Sequence, residues 1–373
     1  MKAEPGLPFH VDSRSKIKQH LTLKRYNDLK KIRTPSGYSL DQAIRSGIEN
    51  PDSNIGIYAG DMESYDCFAP VLTPIIEDYH HLDPDWSHKP GLQEVVLPDL
   101  DPEQLFIRSS RIRVARNLDK FPFSCNMTPD QRLALEDTVK HAFRRLPEKL
   151  SGTYTAFTDL NEKQFNALIK KGLAFRKGDR FMDAAGINRD YPLGRGIFTS
   201  RDNMVRVWVN EEDHLRIIAQ SPGGDIANVF NRLIQMIKAL GDKLGFAFDR
   251  KKGFLTTCPT NIGTAMRAGV HIHLEKLEQN PSFLETITRD HHLQIRGTGG
   301  EKTAVEKAVF DISNARRLGI SANTILKDLH GGLQAIIKAE RDLQGSLKVH
   351  KSRTEPRKAR KARKDTEIPL ITE

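Results

Sequence analysis

The run Asn210-Glu211-Glu212-Asp213-His214 sets three acids directly after Val205–Val209, whose alternating valines read as a strand. Carboxylates fixed at a strand end suit a cationic partner. A guanidinium is one such partner. Its pKa lies above about 12, a carboxylate can grip it bidentately, and the same carboxylate can take its proton as nitrogen attacks. The triplet also reads as a solvated acidic turn; a metal site is less well supported, since no second acidic cluster sits at ligand spacing. Arginines form the complementary set. Arg111 and Arg113 alternate with Ile112 and Val114, so both project from one side of an extended segment. Arg216, Arg267 and Arg296 each fall within a few residues of an expected strand end. Arginine forks bind phosphate oxygens bidentately and keep their charge when partly buried. Five converging forks would neutralise a triphosphate, whereas any one alone reads as an ordinary surface or salt-bridge arginine.

Two further stretches carry weaker signals. Phe254-Leu255-Thr256-Thr257-Cys258-Pro259-Thr260-Asn261 ends an expected strand on a cysteine, beside hydroxyls and backbone donors of the kind that stabilise a thiolate. The bland reading of Cys258 is a small buried apolar residue. Arg296-Gly297-Thr298-Gly299-Gly300-Glu301 is a glycine-rich loop that lets backbone approach a ligand, but it is neither a Walker loop nor GxGxxG. His271, His273, His291 and His292 lack an acidic or cysteine partner at ligand spacing, so no metal site is expected.

The elements that must position these residues are partly legible. Thr128-Pro129-Asp130-Gln131 combines a capping Thr, Pro at the first helical position and Gln three residues on, so a helix starts there. Asp225 opens a stronger one, with Ile226, Val229, Phe230, Leu233, Ile234, Ile237, Leu240 and Leu244 at helical spacing. Strands are expected around Val205–Val209, at Val270, Ile272 and Leu274, and at Leu293 and Ile295. The prediction is a mostly antiparallel sheet with helices on it, an α+β domain. Short helical patterns fill about 38–82, and four prolines (Pro84, Pro90, Pro98, Pro102) mark 83–103 as a linker between a small first domain and a larger second one. Residues 1–30 are polar and basic with weak periodicity, the pattern of an extension or loosely held helix.

Composition limits the function classes. In 373 residues the net charge is +10, but 348–373 alone hold nine Lys/Arg against four Asp/Glu. The tail core Arg357-Lys358-Ala359-Arg360-Lys361-Ala362-Arg363-Lys364 offers no aromatic residue for base stacking, so a solvated, disordered basic tail is expected and no nucleic-acid role for the core. Three widely spaced cysteines (Cys67, Cys125, Cys258) point to a reducing compartment. No apolar run approaches the ~18 residues of a membrane span, and residues 1–12 carry Glu4 and Pro5 rather than an apolar signal core. A cytoplasmic protein without membrane attachment is the expectation.

Together, Ser109-Ser110-Arg111-Ile112-Arg113, Trp208-Val209-Asn210-Glu211-Glu212-Asp213-His214, Cys258-Pro259-Thr260-Asn261 and Arg296-Gly297-Thr298-Gly299-Gly300-Glu301 resemble the signatures of the phosphagen (ATP:guanidino) kinases, in the same order, and the likeness runs from about 38 to 345. The resemblance implies a small all-helical N-terminal domain plus a larger domain with an antiparallel β-sheet flanked by helices. On that reading 1–30 is an extension, 31–95 the guanidino-substrate domain with linker, 96–347 the catalytic ATP-binding domain and 348–373 the tail. It implies reversible transfer of the γ-phosphoryl group of MgATP to a small guanidino compound, with Mg²⁺ bound through ATP phosphates and water. By the same resemblance Arg111, Arg113, Arg216, Arg267 and Arg296 hold the nucleotide phosphates with His271 beside the base or ribose. Glu212 orients the guanidinium and acts as base, Glu301 is the second carboxylate, and Cys258 is a thiolate against the non-reacting guanidino nitrogens.

Ser53-Asn54-Ile55-Gly56-Ile57-Tyr58 and Ile76-Glu77-Asp78-Tyr79-His80 resemble the arginine-kinase branch of the family. Ser53, Asn54, Ile55, Tyr58 and Tyr79 are therefore expected at the substrate, with arginine as that substrate and a monomer as the working unit. Three departures stand out. Gly172 occupies the place of a usual nucleotide-contacting histidine, Asn54 replaces a usual glycine, and Gly299 replaces a usual arginine. The alternatives are a kinase for taurocyamine or another guanidino compound and, in a different class, an inactive scaffold or binding protein that uses the basic tail.

Overall fold

The computed structural model describes residues 6–83, 85–296 and 308–354, with side chains described up to residue 345. Its first body is helical: α1 (Lys16–His20), α2 (Leu23–Leu29), α3 (Leu40–Glu49), α4 (Ser64–Cys67) and α5 (Ala69–His80). Ser39 and Gln42 close a capping box on α3, which fixes where that helix begins. Phe9, Ile17, Leu21 and Leu29 are buried together with Leu40, Ile44, Ile57, Phe68, Leu72 and Ile75 in one apolar core. Residues 9–29 are thus integral to this body, contrary to the extension expected over 1–30. Helices of five and seven residues are too short to display a 3.6-residue repeat, so each shows only one or two core-facing positions.

Residues 85–100 run without regular structure, as the prolines require, but they are strapped to the second body. Val95 N donates to Asn231 Oδ1 (2.8 Å) and Gln93 N to Asn323 Oδ1 (3.0 Å). The second body follows as β1 (Ile107–Arg116), α6 (Pro129–Arg144), β2 (Gly152–Ala156), α7 (Glu162–Lys170), α8 (Arg180–Ala184), β3 (Gly196–Ser200), β4 (Val205–Val209), β5 (Leu215–Pro222) and α9 (Ile226–Gly241). After them come β6 (Phe248–Asp249), β7 (Gly253–Phe254), β8 (Met266–His273), α10 (Pro281–Asp290), β9 (Leu293–Arg296), β10 (Val309–Asn314) and α11 (Ala322–Thr354). The capping box expected at Thr128 and Gln131 opens α6, and Asp225 caps α9 by accepting from Asn228 N.

Eight strands form one antiparallel sheet in the order β2-β3-β4-β5-β1-β8-β10-β9. Its two faces differ because the strands alternate. Ile112, Val114, Ile217, Ala219, Ala268, Val270, Ile272 and Ile312 turn to one side, where Val229, Phe230, Leu233 and Ile237 of α9 and Leu326, Leu329 and Leu333 of α11 bury them. The opposite face is polar and carries the arginines. The strand expected to end at Cys258 is shorter than its sequence suggests: β7 stops at Phe254. Beyond it the backbone bonds to other elements, with Leu255 N donating to Ala247 O and Thr257 O accepting from Ala59 N. The basic tail beyond residue 354 and the loop 297–307 lie outside the described residues.

Candidate active site

Sheet register brings the arginines together. Arg113 stands directly opposite Arg267 across β1 and β8, Ala115 opposite Arg216 across β1 and β5, and Arg296 opposite Asp311 across β9 and β10. Paired residues share a face, so Arg111, Arg113, Arg216, Arg267 and Arg296 all project from the polar side. Arg267 is oriented by Asp311 Oδ2 (2.6 Å) and Ser313 Oγ (3.2 Å), and Arg296 donates to Gln294 Oε1 (3.4 Å). His271 lies on the same face, opposite Ser109 and Asp311. Burial, then Arg216 and Arg267, push the Arg111 guanidinium down to about 10, and burial with Arg216 and Arg111 lowers Arg113 well below its ordinary value. Such depression marks a positive field short of counter-charge, which an oligoanion would supply.

The acid triplet forms the β4–β5 hairpin turn. Asn210 starts it in the left-handed region (φ 56), which asparagine tolerates, and its Nδ2 donates to Arg132 O (3.3 Å) and Gly194 O (2.7 Å). His214 ends it, fully buried: its Nδ1 accepts from Leu118 N (2.9 Å) and its Nε2 lies 2.9 Å from Pro122 O. Between these pins the three acids have different duties. Arg216 Nη2 pairs with Glu211 Oε2 (2.7 Å) and Glu212 Oε2 (3.1 Å). Burial opposes the Arg216 charge, but the Glu211, Glu212 and Asp213 carboxylates outweigh it and raise its pKa. Burial and the neighbouring Asp213 push the Glu212 carboxyl up to about 7, against the pull of Arg216. Asp213 faces inward, its Oδ1 accepting from Asn117 Nδ2 (2.9 Å) and Thr257 N (2.7 Å).

That last bond joins the acid turn to the cysteine loop. Asn261 Nδ2 donates to Glu212 Oε2 (3.4 Å), and Cys258 Sγ and Thr260 Oγ1 share a hydrogen bond of 3.1 Å. A cavity of about 60 Å³ lies here, lined by Arg113, Glu212, Arg216, Asn261, Arg267 and Arg317 among others. The thiolate implied by the resemblance has to form against its surroundings: burial, then Glu212, push the Cys258 thiol up to about 12, opposed by Thr260.

The helical body reaches the same loop. Ala59 N donates to Thr257 O (2.8 Å) and Tyr65 Oη to Thr256 O (2.7 Å), and Ile55, Tyr58 and Cys258 share one apolar cluster. Ser53 is buried and Asn54 exposed. The loop they begin is gripped from the N-terminal side, Lys16 N donating to Asn54 O (2.9 Å) and Ile17 N to Ile55 O (3.1 Å). Gly56 is needed there: its φ is +73, and a Cβ would come within 2.6 Å of Ile17. Half-buried Tyr79 packs edge-on to His80, which lies 3.0 Å from Pro259 O.

Glu301 and the glycine-rich loop 297–300 lie outside the described residues. Gly172 has a structural reason: Leu173 N bonds Leu168 O and Gly172 N bonds Ile169 O at φ +66, a Schellman stop that ends α7. Sequence reasoning missed Arg206, Arg317 and Asn117. Arg206 was visible, since it alternates with Val205 and Val207 as Arg111 does with Ile112, and it joins the arginine face opposite Ile218. Arg317, whose Nη1 donates to Thr260 O (3.1 Å), has no local sequence signal. Among the described residues no three His, Cys, Asp or Glu side chains gather as a metal site, and no helix is long and apolar enough to cross a membrane.

Comparison with known proteins agrees with this geometry. The profile of the ATP:guanido phosphotransferase N-terminal domain matches 11–77, and that of the C-terminal catalytic domain matches 134–343. An arginine kinase of Limulus polyphemus is 41% identical over 338 residues, covering 88% of this chain and 93% of that protein. One of Anthopleura japonica is 42% identical over 335 residues; the match covers 88% of this chain but spans only 47% of that longer protein. Among solved structures, a lombricine kinase superposes with a TM-score of 0.86 at 31% identity, over 90% of this chain and 94% of that one. The duplicated taurocyamine kinase from Schistosoma mansoni gives 0.85 at 32% identity, over 92% of this chain and 50% of that one.

Proposed function

This chain belongs to the ATP:guanido phosphotransferase family, as a phosphagen kinase, and from that premise we propose that its guanidino substrate is L-arginine. The observation that carries the reading is a carboxylate poised near neutrality, Glu212, lining a cavity together with Arg113, Arg216, Arg267 and Arg317. The arginine face receives the polyphosphate of ATP, with Arg111, Arg113, Arg216, Arg267 and Arg296 as its donors and His271 beside the nucleoside. The depressed pKa values of Arg111 and Arg113 fit that anion. Mg²⁺ travels with the nucleotide phosphates and water and, when bound, adds to charge neutralisation.

Glu212 grips the guanidinium and holds it in line. The guanidino nitrogen attacks the γ-phosphorus, the bond from that phosphorus to the bridging oxygen breaks, and ADP departs. The proton lost from nitrogen passes to Glu212. Glu301 is assigned as the second carboxylate. Cys258 faces the non-reacting nitrogens, and the arriving positive charge favours its thiolate, which burial alone disfavours. Positioning and charge neutralisation supply most of the acceleration in such transfers.

Arginine is assigned from the helical body. The carbonyls of Asn54 and Ile55 are taken by residues 16 and 17, and Ser53 N and Tyr58 N by Asn50 O and Ala43 O, so the N–H groups of residues 54–57 and the Ser53 hydroxyl are assigned to the substrate carboxylate. Tyr58 and Tyr79 close the pocket without adding positive charge. A coupled assay with ATP against arginine, creatine, taurocyamine and lombricine tests the choice. Arginine is expected to lead each by at least about tenfold in kcat/KM, or roughly 1.4 kcal/mol of transition-state binding. A panel led by taurocyamine or lombricine would overturn it. The chain is taken to act as a cytoplasmic monomer.

A further inference from the structure

Where the segment 87–92 meets the catalytic body lies a cavity of about 30 Å³, lined by His88, Gly91, Arg116, Phe254, Thr264 and Ala322 among others. It shares no lining residue with the cavity at Glu212. Arg116 closes β1 and is 1% exposed. Its Nη1 donates to Ala115 O (2.7 Å) and Thr264 O (3.2 Å), and its guanidinium carbon sits 3.5 Å from the centre of the Phe254 ring. Its Nε is buried without a hydrogen-bond partner, and no carboxylate among the described residues forms an ion pair with it. His88 Nδ1, also lining the cavity, is buried without a partner too. Burial, then the Arg116 charge, lower the His88 pKa. Ala322, the first residue of α11, adds the positive end of a 33-residue helix whose start is capped by Ser321 Oγ accepting from Thr324 N (3.1 Å).

Asp213 acts on Arg116 only at a distance, and a buried guanidinium without a direct ion pair is costly. Water would satisfy the orphan donors but leave the charge. The volume exceeds the ~10–15 Å³ that a single water requires and suits one monatomic ion. We propose that this cavity is a binding site for a single halide-sized anion, held by Arg116 Nε and His88 Nδ1. Such an ion ties the segment 87–92, which leads out of the helical body, to the strand that carries Arg111 and Arg113.

Crystals of the full chain soaked in sodium bromide provide the direct test. An anomalous bromine peak within hydrogen-bond distance of Arg116 Nε is expected. Bromide found at the surface or on the arginine face but absent from this cavity would overturn the proposal. In solution, thermal midpoints are compared in sodium chloride and sodium gluconate at matched ionic strength. The native chain should gain about 2 °C or more in chloride, and Arg116→Gln should lose that gain. Should that variant fail to fold, His88→Leu serves the same purpose. An equal chloride gain in native and variant chains would assign the effect to salt elsewhere and refute the site.

Discussion

Glu212 sits between opposing fields. Burial and Asp213 favour its protonated form, while Arg216 and Arg113 favour the carboxylate, and the balance falls at about 7. A base with that value works at neutral pH and fails in acid. In the native enzyme, kcat/KM for the guanidino substrate is expected to fall about tenfold per pH unit below 7. Glu212→Gln keeps the shape, removes the proton acceptor, and should lower turnover at least about a hundredfold while flattening that acid limb; nucleotide affinity should change little. Near-normal turnover, or an intact acid limb, would remove Glu212 from the role of base. Only part of the Cys258 environment was legible in the sequence. Sequence shows the hydroxyls beside it, but the burial and neighbouring carboxylate that raise its pKa belong to the folded chain.

Elements decide how firmly such residues are held. The turn 210–214 is pinned at one end by the Asn210 amide and at the other by the buried His214 ring, so the acids between have little freedom. Burial pushes the His214 pKa down to about 3, opposed by Pro122 O. A histidine with a lowered folded value binds its proton more tightly when unfolded. Its contribution is therefore complete above the unfolded value near 6.5 and is lost as pH falls toward 3. At pH 4 the loss amounts to about 3 kcal/mol for this one ring. His214→Asn should be less stable at neutral pH, yet its urea midpoint should fall less steeply between pH 6.5 and 4; parallel slopes would refute the assignment. β4, β8, β9, α6 and α9 were legible because the strands alternate and each helix carries its own period and cap. Residues 9–29 were not, since single core-facing residues on two short helices look like noise until Leu40 and Ile57 lie beside them. Gly172 was legible only as a departure; its meaning as a helix stop needed the hydrogen bonds around it.

At the scale of the molecule, the two bodies share the cysteine loop, besides contacts such as Ser46 Oγ to Phe181 O and Phe123 N to Gly60 O. The helical body grips residues 256–257 through Ala59 and Tyr65, and its own N-terminal segment grips the loop 53–58 through Lys16 and Ile17. Residues far apart in sequence thus shape the guanidino pocket, while the arginine face belongs to the sheet alone. Trimming the chain through residue 17 should raise KM for the guanidino substrate several-fold more than KM for ATP. Equal increases would show general loosening instead, and no change would show that the loop holds itself. The arginine motif was readable in sequence, but its convergence was not, because only cross-strand register makes Arg113 the neighbour of Arg267.

That register also orders events in time. β3, β4 and β5 succeed one another as adjacent strands, so their contacts are local and close quickly. β1 slots between β5 and β8, with Ser110 opposite both Ser221 and Val270. A chain emerging from the ribosome therefore displays Arg111 and Arg113 long before either flanking strand has been synthesised. The phosphate cradle is therefore absent from a chain made only as far as β5, before β8 brings Arg267 opposite Arg113.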